Sequence, residues 1–525
     1  MKVINHRDET LVLKDGVELK ARLWIPNKGG PWPTLLMRQP YGREIASTVT
    51  YAHPSWFSNN GFLVVVQDVR GQGDSKGDFS GFSQEGLDTS KTLEWTRSLP
   101  ECNGKVGTYG FSYQGLTQLL AIPGTPPPDC LAPAMTGLNE KDHWSVEGDA
   151  FWWHIGLSWG LQLAAQRLKR AQDWDGWIEI RKSLENGTYL RDGPKLLARY
   201  DPQGMAIKWL KQSNNCTQNW IIHKPLKTWL EKPMLLIGGW YDPHLRGIID
   251  IYRQSLKAGG KPEIHIGPAT HLQWWEGIHE LQLNFFNRYL KNPENLSSKK
   301  TTIQLWNLTT KCWQHSKKFP EDVPSWGLKT EGSSCFLNSD GLLESSSEGS
   351  GMAILVHDPW RPIPSIGGHL GPEPGEADRG NIDKRNDVAT FSSAQLPKSL
   401  YLEGNPFLEV EVFANQKGFD LCVALSIVNQ EKTKVTQLST GYLRVLGGDA
   451  LKPLLRKVEL FPFSAEFKKG TSLRISISGS AWPAIAVNPG NDDQPCQAPG
   501  PNCLVTTIYL KLDKSKLEIS PLISP

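Results

Sequence analysis

A serine, an aspartate and a histidine occur in the sequence with the types and order that nucleophilic catalysis requires. Ser112 lies in GFSYQG, Asp242 ends GGWYD, and His271 ends GPATH. A serine hydroxyl attacks a carbonyl carbon efficiently only when a base takes its proton and an acid orients that base. The three residues therefore favour a serine nucleophile with its own acid and base.

Each of the three residues ends or closely follows a stretch with the pattern of a buried β-strand. These stretches are KVGTYG, MLLIGGWY and EIHIGPAT. Functional side chains of an open parallel sheet gather beyond the carboxyl ends of its strands. The spacing GFSYQG is one residue longer than the common G-x-S-x-G, so the motif alone leaves an ordinary strand–helix turn as an equal alternative. The joint occurrence of all three at strand ends favours catalysis.

The pattern of predicted strands and helices changes three times along the chain. Strands alternate with helices over residues 1–140 and strands return over 231–300, which predicts one α/β catalytic domain with a largely parallel sheet. Residues 141–230 lack strand patterns and hold nine of the 21 tryptophans, which predicts an inserted helical cap domain. Short alternating strands over 301–525 predict a β-sandwich. The Gly- and Pro-rich segment 361–386 should be a long ordered loop or a linker.

The composition of the chain limits which classes of partner we expect it to bind. The 57 Lys and Arg nearly balance the 54 Asp and Glu, and no apolar run approaches the about 20 residues of a membrane span. We expect a small-molecule partner, no nucleic acid and no membrane; the oligomeric state stays open. A strand-like N-terminus and eight scattered cysteines without a C-x-x-C pair indicate a cytoplasmic protein. Cys496 and Cys503 share one loop, but we expect free thiols.

We expect neither a metal nor a cofactor. The twelve histidines form no H-E-x-x-H motif, which argues against a catalytic metal. The glycines of RGQGDSKGDF partly imitate a dinucleotide-binding loop, but no helix with the remaining features follows them. Tight turns are the better explanation for these glycines.

With these residues in view, the chain resembles the CocE/NonD-type acyl esterases. This family is similar to cocaine esterase and is grouped with the X-Pro dipeptidyl-peptidases and α-amino acid ester hydrolases. G-x-S-Y-x-G is the family's own form of the serine turn, which accounts for the additional residue. The blocks QDVRGQGDSKGDF, NGKVGTYG, GGWYD, GPATH, DPWRPIPSIGG, IDKRNDVATFSS and GTSLRISISGSAWP also resemble those of the family, in order. The resemblance covers nearly the whole chain.

The resemblance implies a role for each site residue. Ser112 would be the nucleophile, His271 the general base and then acid, and Asp242 the residue that orients the imidazole. The hydroxyl of Tyr41, in RQPYGRE, and the backbone N–H of Tyr113 would form the oxyanion hole. A tyrosine packed in the core is the alternative for position 41.

The same resemblance implies an α/β-hydrolase domain, a helical cap and a C-terminal jelly-roll, in agreement with the three patterns along the chain. Three tryptophans of the cap are candidates for the wall of a substrate pocket: Trp152, Trp153 and Trp159.

Two departures from the family favour esters over peptides. Acidic residues that mark the amino acid ester branch are replaced, after Asp242, by Pro243, His244, Leu245 and Arg246. The hydrolase pattern also starts almost at the first residue of this sequence, whereas the dipeptidyl-peptidases typically carry an additional N-terminal domain, so we expect an esterase rather than a peptidase. We expect a serine hydrolase that cleaves small-molecule carboxylic esters through an acyl-enzyme. Amide cleavage, an X-Pro dipeptidyl-peptidase acting on short peptides, and a non-catalytic carbohydrate-binding protein remain the alternatives.

Overall fold

The computed structural model describes most of the chain. The described residues are 5–45, 52–213, 220–292, 302–316, 323–330, 340–345, 347–493, 495 and 499–522. Cys496, one of the two cysteines considered for pairing, lies outside them. No helix in these ranges is long and apolar enough to cross a bilayer.

Twelve strands occur in the described residues up to 316. They are β1 (His6–Val12), β2 (Glu18–Trp24), β3 (Trp32–Gln39), β4 (Leu63–Asp68), β5 (Cys102–Phe111), β6 (Cys130–Ala134), β7 (Val146–Glu147), β8 (Ala150–Phe151), β9 (Leu235–Tyr241), β10 (Glu263–Thr270), β11 (Thr302–Asn307) and β12 (Cys312–His315). β7 pairs with β8, and the others form one sheet in the order β1-β2-β4-β3-β5-β6-β9-β10-β11-β12.

The middle of this sheet is parallel from β4 to β11, and antiparallel pairs close both edges. Every residue of β4 and of β9 is buried. Parallel strands covered by helices on both faces need continuous apolar sequences such as these. The apolar runs that predicted buried strands therefore reflect a sheet with no exposed face at its centre.

Ten α-helices occur in the described residues. They are α1 (Pro54–Asn59), α2 (Glu85–Ser98), α3 (Tyr113–Thr117), α4 (Trp153–Arg170), α5 (Trp174–Glu185), α6 (Tyr189–Tyr200), α7 (Met205–Ser213), α8 (Lys227–Leu230), α9 (Leu245–Ala258) and α10 (Ile278–Phe286). α4 packs on α5, α6 and α7. Its buried residues include Leu157, Leu161, Ala164 and Leu168, which repeat at helical spacing along one face.

The C-terminal region is built from strands. They are β13 (Trp326–Lys329), β14 (Asp340–Ser345), β15 (Met352–His357), β16 (Val388–Ser392), β17 (Leu400–Ala414), β18 (Gly418–Val428), β19 (Val435–Leu446), β20 (Leu454–Glu459), β21 (Phe463–Phe467), β22 (Ser472–Ser478) and β23 (Thr506–Pro521). Nine follow the order β19-β18-β22-β16-β14-β13-β23-β17-β20, while β15 pairs with β23 and β21 with β17. Buried and partly exposed residues alternate along β17 and β23, as in a sandwich with one covered face.

The expected fold class is confirmed: an α/β-hydrolase sheet, a helical insertion and a C-terminal β-sandwich. The structure differs from the expected boundary at residue 300, because β11 and β12 extend the first sheet. β11 pairs in parallel with β10 over Glu263–Ile266, and β12 folds back on β11. Short strand patterns in a sequence do not reveal which sheet the strands join.

The helical insertion is tied to the C-terminal region at the start of α4. The Trp153 amide donates to the Ala484 carbonyl at 2.9 Å, and the His154 amide donates to the Pro483 carbonyl at 3.1 Å. The first N–H groups of a helix lack intrahelical acceptors, so these two carbonyls satisfy them. The position of α4 therefore depends on the C-terminal domain.

At Gly239 the backbones of β9 and β10 approach each other closely, near the carboxyl ends of the two strands. A Cβ at Gly239 would lie 2.3 Å from the Ala269 carbonyl oxygen, and the register of the two strands shifts between Gly267 and Thr270. We expect Gly239→Ala to lower the free energy of unfolding by about 2 kcal/mol, as overpacking does. Urea titration of Gly448→Ala, where a Cβ meets nothing within 4 Å, is the control. Equal stabilities of the two variants would contradict this prediction.

Candidate active site

The residues proposed from the sequence as a triad lie at the carboxyl ends of three strands. Ser112 directly follows β5, Asp242 follows β9 and His271 follows β10. Because β9 and β10 are adjacent and parallel, the loops that carry Asp242 and His271 leave the sheet side by side. His271 Nδ1 lies 2.6 Å from Asp242 Oδ1, a hydrogen-bond distance, and the aspartate is completely buried.

Ser112 occupies a strained turn between β5 and α3. Its backbone has φ 58° and ψ −127°, a conformation that few non-glycine residues adopt. Its amide donates to the Ala134 carbonyl at 3.0 Å, which ties the turn to the neighbouring strand. A Cβ at Gly110 would lie 2.5 Å from Gln114 Cβ, and one at Gly115 would lie 2.8 Å from the Ala134 oxygen. The two glycines of the motif are therefore required by close packing.

A buried network supports the helix that starts at this turn. The Tyr113 hydroxyl donates to Glu85 Oε1 at 2.8 Å, and Arg38 Nη1 donates to Glu85 Oε2 at 2.5 Å. Burial raises the pKa of Glu85, while the nearby guanidinium of Arg38 opposes that rise. The network fixes the first residue of α3. The Tyr113 amide at that position has no acceptor within its own helix, so it is available to an anion.

Tyr41 lies beside the serine and not in the core. Trp159 Nε1 donates to the Tyr41 hydroxyl at 3.1 Å, and the same hydroxyl is hydrogen-bonded to the side chain of Ser112. Burial raises the pKa of Tyr41, so the hydroxyl keeps its proton at neutral pH. Because the indole N–H occupies an acceptor position of the oxygen, the phenolic proton remains free to donate.

These residues open onto one cavity of about 1090 Å³. Ser112, Tyr41 and His271 line it, and the ring of Phe111 lies 5.2 Å from the His271 ring. The wall also includes Trp144, Ile155, Trp159, Trp177, Leu184, Tyr241, His244 and Leu272. A serine hydroxyl, a histidine–carboxylate pair and an aromatic wall in one cavity are typical of a site that binds a small organic molecule.

Two of the three tryptophans expected in the pocket wall do not line the cavity. Trp159 lines it, whereas Trp152 and Trp153 are 1% and 0% exposed and pack in the core. Trp153 Nε1 donates to the Leu190 carbonyl, which holds α4 against α6. Six residues of α-helix rotate a side chain by about 240°, so Trp159 projects from a different face of α4 than Trp153. Trp152 precedes the helix.

Sequence reasoning missed several parts of the wall. Trp144 precedes the tryptophans that were singled out, and His244 was noted only as a departure from acidic residues. Residues 371–374 also line the cavity, although they belong to the C-terminal loop between β15 and β16. His369 positions this loop, because its Nε2 lies 2.7 Å from Glu147 Oε2 and its ring stacks on Phe461 at 3.7 Å. The high Gly and Pro content of this segment indicated a loop, but it did not indicate that the loop lines the cavity.

A second histidine adjoins the pair. His244 Nδ1 lies 2.6 Å from the His143 carbonyl oxygen, and the His244 ring is 4.9 Å from the His271 ring. Burial lowers the pKa of His244 to about 4 and that of His143 to about 3, so both rings are neutral at pH 7.

Asp242, His244 and His271 offer ligand atoms within 4.8 Å of one another, the arrangement in which a metal ion would be sought. Two of these three side chains, Asp242 and His271, are hydrogen-bonded to each other, and Nδ1 of His244 faces a carbonyl oxygen. The hydrogen bond between Asp242 and His271 is the kind of contact that a proton-transfer pair makes.

The fold and the cavity define a hydrolase of the α/β-hydrolase class, and the sequence comparisons agree. Residues 15–273 match the X-Pro dipeptidyl-peptidase (S15) family, and residues 295–514 match the X-Pro dipeptidyl-peptidase C-terminal non-catalytic domain. The chain belongs to this family of two-part serine hydrolases, so it is an enzyme. Cocaine esterase of Rhodococcus sp. (strain MB1 Bresler) is 24% identical over 523 residues, covering 90% of either chain.

Solved structures share the whole architecture. An aminopeptidase from the marine sediment archaeon Thaumarchaeota archaeon aligns with TM-score 0.74 at 20% identity over 98% of this chain and 96% of its own. An α-amino acid ester hydrolase aligns with TM-score 0.70 at 18% identity over 98% and 96%. A CocE/NonD-family hydrolase of Staphylococcus aureus aligns with TM-score 0.71 at 18% identity over 97% and 92%. At these identities the likeness shows the fold.

The neutral histidines make stability depend on pH. His143 Nδ1 accepts the amides of Leu138 and Asn139, and its folded pKa is about 3 against 6.5 for a free histidine. Below pH 6.5 His143 therefore binds a proton in the unfolded chain but not in the folded chain. Stability falls as the pH falls. His143→Asn keeps an acceptor but cannot titrate. Between pH 7.5 and 5 we expect the variant to lose about 2 kcal/mol less free energy of unfolding than wild type in urea titrations. Equal losses would contradict this assignment.

Proposed function

We propose that the protein is an esterase that hydrolyses carboxylic esters through an acyl-enzyme. Ser112 is the nucleophile, His271 the general base and then acid, and Asp242 the group that orients the imidazole. The observation that carries the proposal is the 2.6 Å contact between His271 Nδ1 and Asp242 Oδ1, in the cavity that Ser112 also lines. In this proposal Ser112, His271 and Asp242 supply the nucleophile, the base and the orienting acid of a triad.

In the acylation step, His271 Nε2 takes the Ser112 proton as the serine oxygen attacks the ester carbonyl carbon. The carbon–oxygen double bond becomes an alkoxide, and the new imidazolium is stabilised by Asp242. Collapse of this intermediate breaks the bond to the leaving alcohol, which receives the proton from His271. The product is an ester between Ser112 and the acyl group.

In the deacylation step, a water molecule replaces the alcohol. His271 takes a proton from the water as its oxygen attacks the acyl carbon, and the intermediate collapses to release the carboxylic acid. The proton returns from His271 to the Ser112 oxygen, so the enzyme is regenerated. Both steps use the same base because the alcohol and the water occupy the same position in turn.

The charge that develops on the carbonyl oxygen needs two fixed donors. The Tyr41 hydroxyl and the Tyr113 amide are the donors in this proposal. Support for Tyr41 comes from its hydrogen bond to Ser112 and from Trp159, which holds its oxygen in place. Support for Tyr113 comes from its position at the start of α3 and from the Glu85 network below it.

The S15 match supports a peptidase as the second candidate, with an X-Pro dipeptide as the acyl part. Such a substrate presents an N-terminal ammonium, which needs a carboxylate partner. The carboxylates among the described residues that line the cavity are Glu185 and Glu373. Glu185 already pairs with Arg181 at 2.6 Å, and Glu373 is exposed. This arrangement favours an uncharged acyl group, and with it the esterase.

The first test compares p-nitrophenyl butyrate with an X-Pro p-nitroanilide. We expect wild type to prefer the ester in kcat/KM, and Ser112→Ala to lose about 10⁴-fold or more in kcat because no acyl-enzyme forms. Ser158→Ala is the matched control, since Ser158 lines the same cavity but donates to the Ile155 carbonyl. EDTA should leave turnover unchanged.

Each alternative has its own result in this assay. Preference for the anilide would assign the peptidase, and loss of activity in EDTA would assign a metal to Asp242, His244 and His271. Failure of a fluorophosphonate to label Ser112, together with no turnover, would overturn hydrolysis and leave a binding protein.

A second variant tests the oxyanion hole. Tyr41→Phe removes the hydroxyl that is proposed to donate to the alkoxide, so we expect kcat for p-nitrophenyl butyrate to fall roughly 100-fold with little change in KM. Tyr189→Phe, which removes a buried hydroxyl hydrogen-bonded to His154 in the cap, is the control. An unchanged kcat in Tyr41→Phe would remove this residue from the mechanism.

A further inference from the structure

His244 lies in the wall of the catalytic cavity and has no part in the proposed reaction. It is 5% exposed, and its ring lies 4.5 Å from Trp144 and 5.7 Å from Trp152. Its environment is therefore aromatic on two sides, with the triad histidine 4.9 Å away on another. A polar ring in such a place needs a reason, because burying it costs free energy unless its nitrogens are hydrogen-bonded.

The hydrogen bonds of His244 assign its protons. Nδ1 lies 2.6 Å from the carbonyl oxygen of His143, and a carbonyl only accepts, so Nδ1 carries the hydrogen. Burial lowers the pKa of the ring to about 4, which keeps it neutral at pH 7. Nε2 then presents a lone pair, and no described residue donates a hydrogen bond to it.

The other polar groups of this part of the wall are already engaged. Trp144 Nε1 donates to the Gly137 carbonyl at 2.7 Å, and Trp159 Nε1 donates to the Tyr41 hydroxyl at 3.1 Å. Both indoles therefore face the cavity as apolar surface. His244 lines the same cavity beside Trp144, so its Nε2 is available as an acceptor to whatever fills this end of the cavity.

The burial of the lining residues shows which part of a substrate would meet His244. The rim of the cavity is exposed and includes Arg181, Glu185, Leu272, Pro372 and Glu373. Trp144 and His244, by contrast, are each 5% exposed and form the inner end. During turnover the alcohol must leave while the acyl group stays bonded to Ser112. The alcohol therefore faces the rim, and the acyl group faces the inner end.

We propose that His244 selects esters whose acyl group carries an uncharged hydrogen-bond donor, a hydroxyl or an amide N–H, which binds Nε2. This inference rests on the proposed esterase function. A plain hydrocarbon acyl group would cover Nε2 and deprive it of water without replacing the hydrogen bond, which disfavours such substrates. An ammonium would enter the inner end without a carboxylate to receive it, because Asp242 is fully buried behind His271.

The experiment uses p-nitrophenyl phenylacetate and its 3-hydroxy, 4-hydroxy and 4-aminomethyl derivatives. These substituents lie far from the ester carbon, so the esters differ little in intrinsic reactivity. We expect wild type to favour at least one phenol over the parent ester in kcat/KM by roughly three- to tenfold, the value of one net hydrogen bond. The aminomethyl ester should be the poorest substrate.

Two variants at position 244 and one elsewhere isolate the interaction. His244→Phe fills the same space without an acceptor, so the ratio between the phenol and the parent ester should fall to about one. His244→Gln offers an amide oxygen and should restore part of the ratio. His154→Phe, which removes another histidine of the same cavity, should leave the ratio as in wild type. A ratio is insensitive to a general loss of activity or of folded protein.

Three results would overturn the proposal: no preference for either phenol in wild type, an unchanged preference in His244→Phe, or a preference for the aminomethyl ester. A binding arm separates this failure from failure of the esterase itself. Titration calorimetry with Ser112→Ala should show tighter binding of the preferred phenol than of the parent ester, by a similar factor. That difference should vanish when His244→Phe is added, whether or not the wild-type protein turns over any ester.

Discussion

The positive φ of Ser112 is the constraint on which the rest of the site depends. Holding a serine at φ 58° costs about 1–3 kcal/mol, and it persists only because the surroundings fix it. Gly110 and Gly115 lie where a Cβ would collide with neighbouring atoms, so glycine is needed on both sides of Ser112. The Ser112 amide donates a hydrogen bond to the Ala134 carbonyl. In the proposed reaction this turn has a chemical use, because it places Ser112 in the cavity directly before the first residue of α3, whose amide lacks an intrahelical acceptor.

The cavity depends on elements far from this turn in sequence. α4 brings Trp159 onto Tyr41, but the first amides of α4 are bound by carbonyls of Pro483 and Ala484. The loop that contributes residues 371–374 is fixed through His369 on Glu147. The non-catalytic C-terminal domain thus shapes the cavity from two sides, which gives a physical reason for keeping both parts in one chain.

Sequence patterns predicted the parts of this structure that depend on local order. Buried runs such as MLLIGGWY predicted strands, and the polar residues after them predicted the edge of the sheet at which Ser112, Asp242 and His271 lie. The wall of the cavity depends on tertiary contacts that no local pattern records. Trp152 precedes α4 in an extended conformation and is buried beside Ile485, whereas Trp159 lies within the helix and lines the cavity, and the sequence around the two residues does not distinguish them.

The burial of Asp242 explains why its pairing with His271 suits the proposed reaction. The carboxylate is fully buried, whereas the His271 side chain is 28% exposed, so the base reaches the cavity while the acid does not. In the resting enzyme a neutral imidazole only donates one hydrogen bond to this carboxylate. When the imidazole takes the serine proton, the contact becomes an ion pair in a site of low dielectric, where the attraction is stronger than in water. The stabilisation therefore grows as the transition state is approached, which is the form of binding that lowers a barrier.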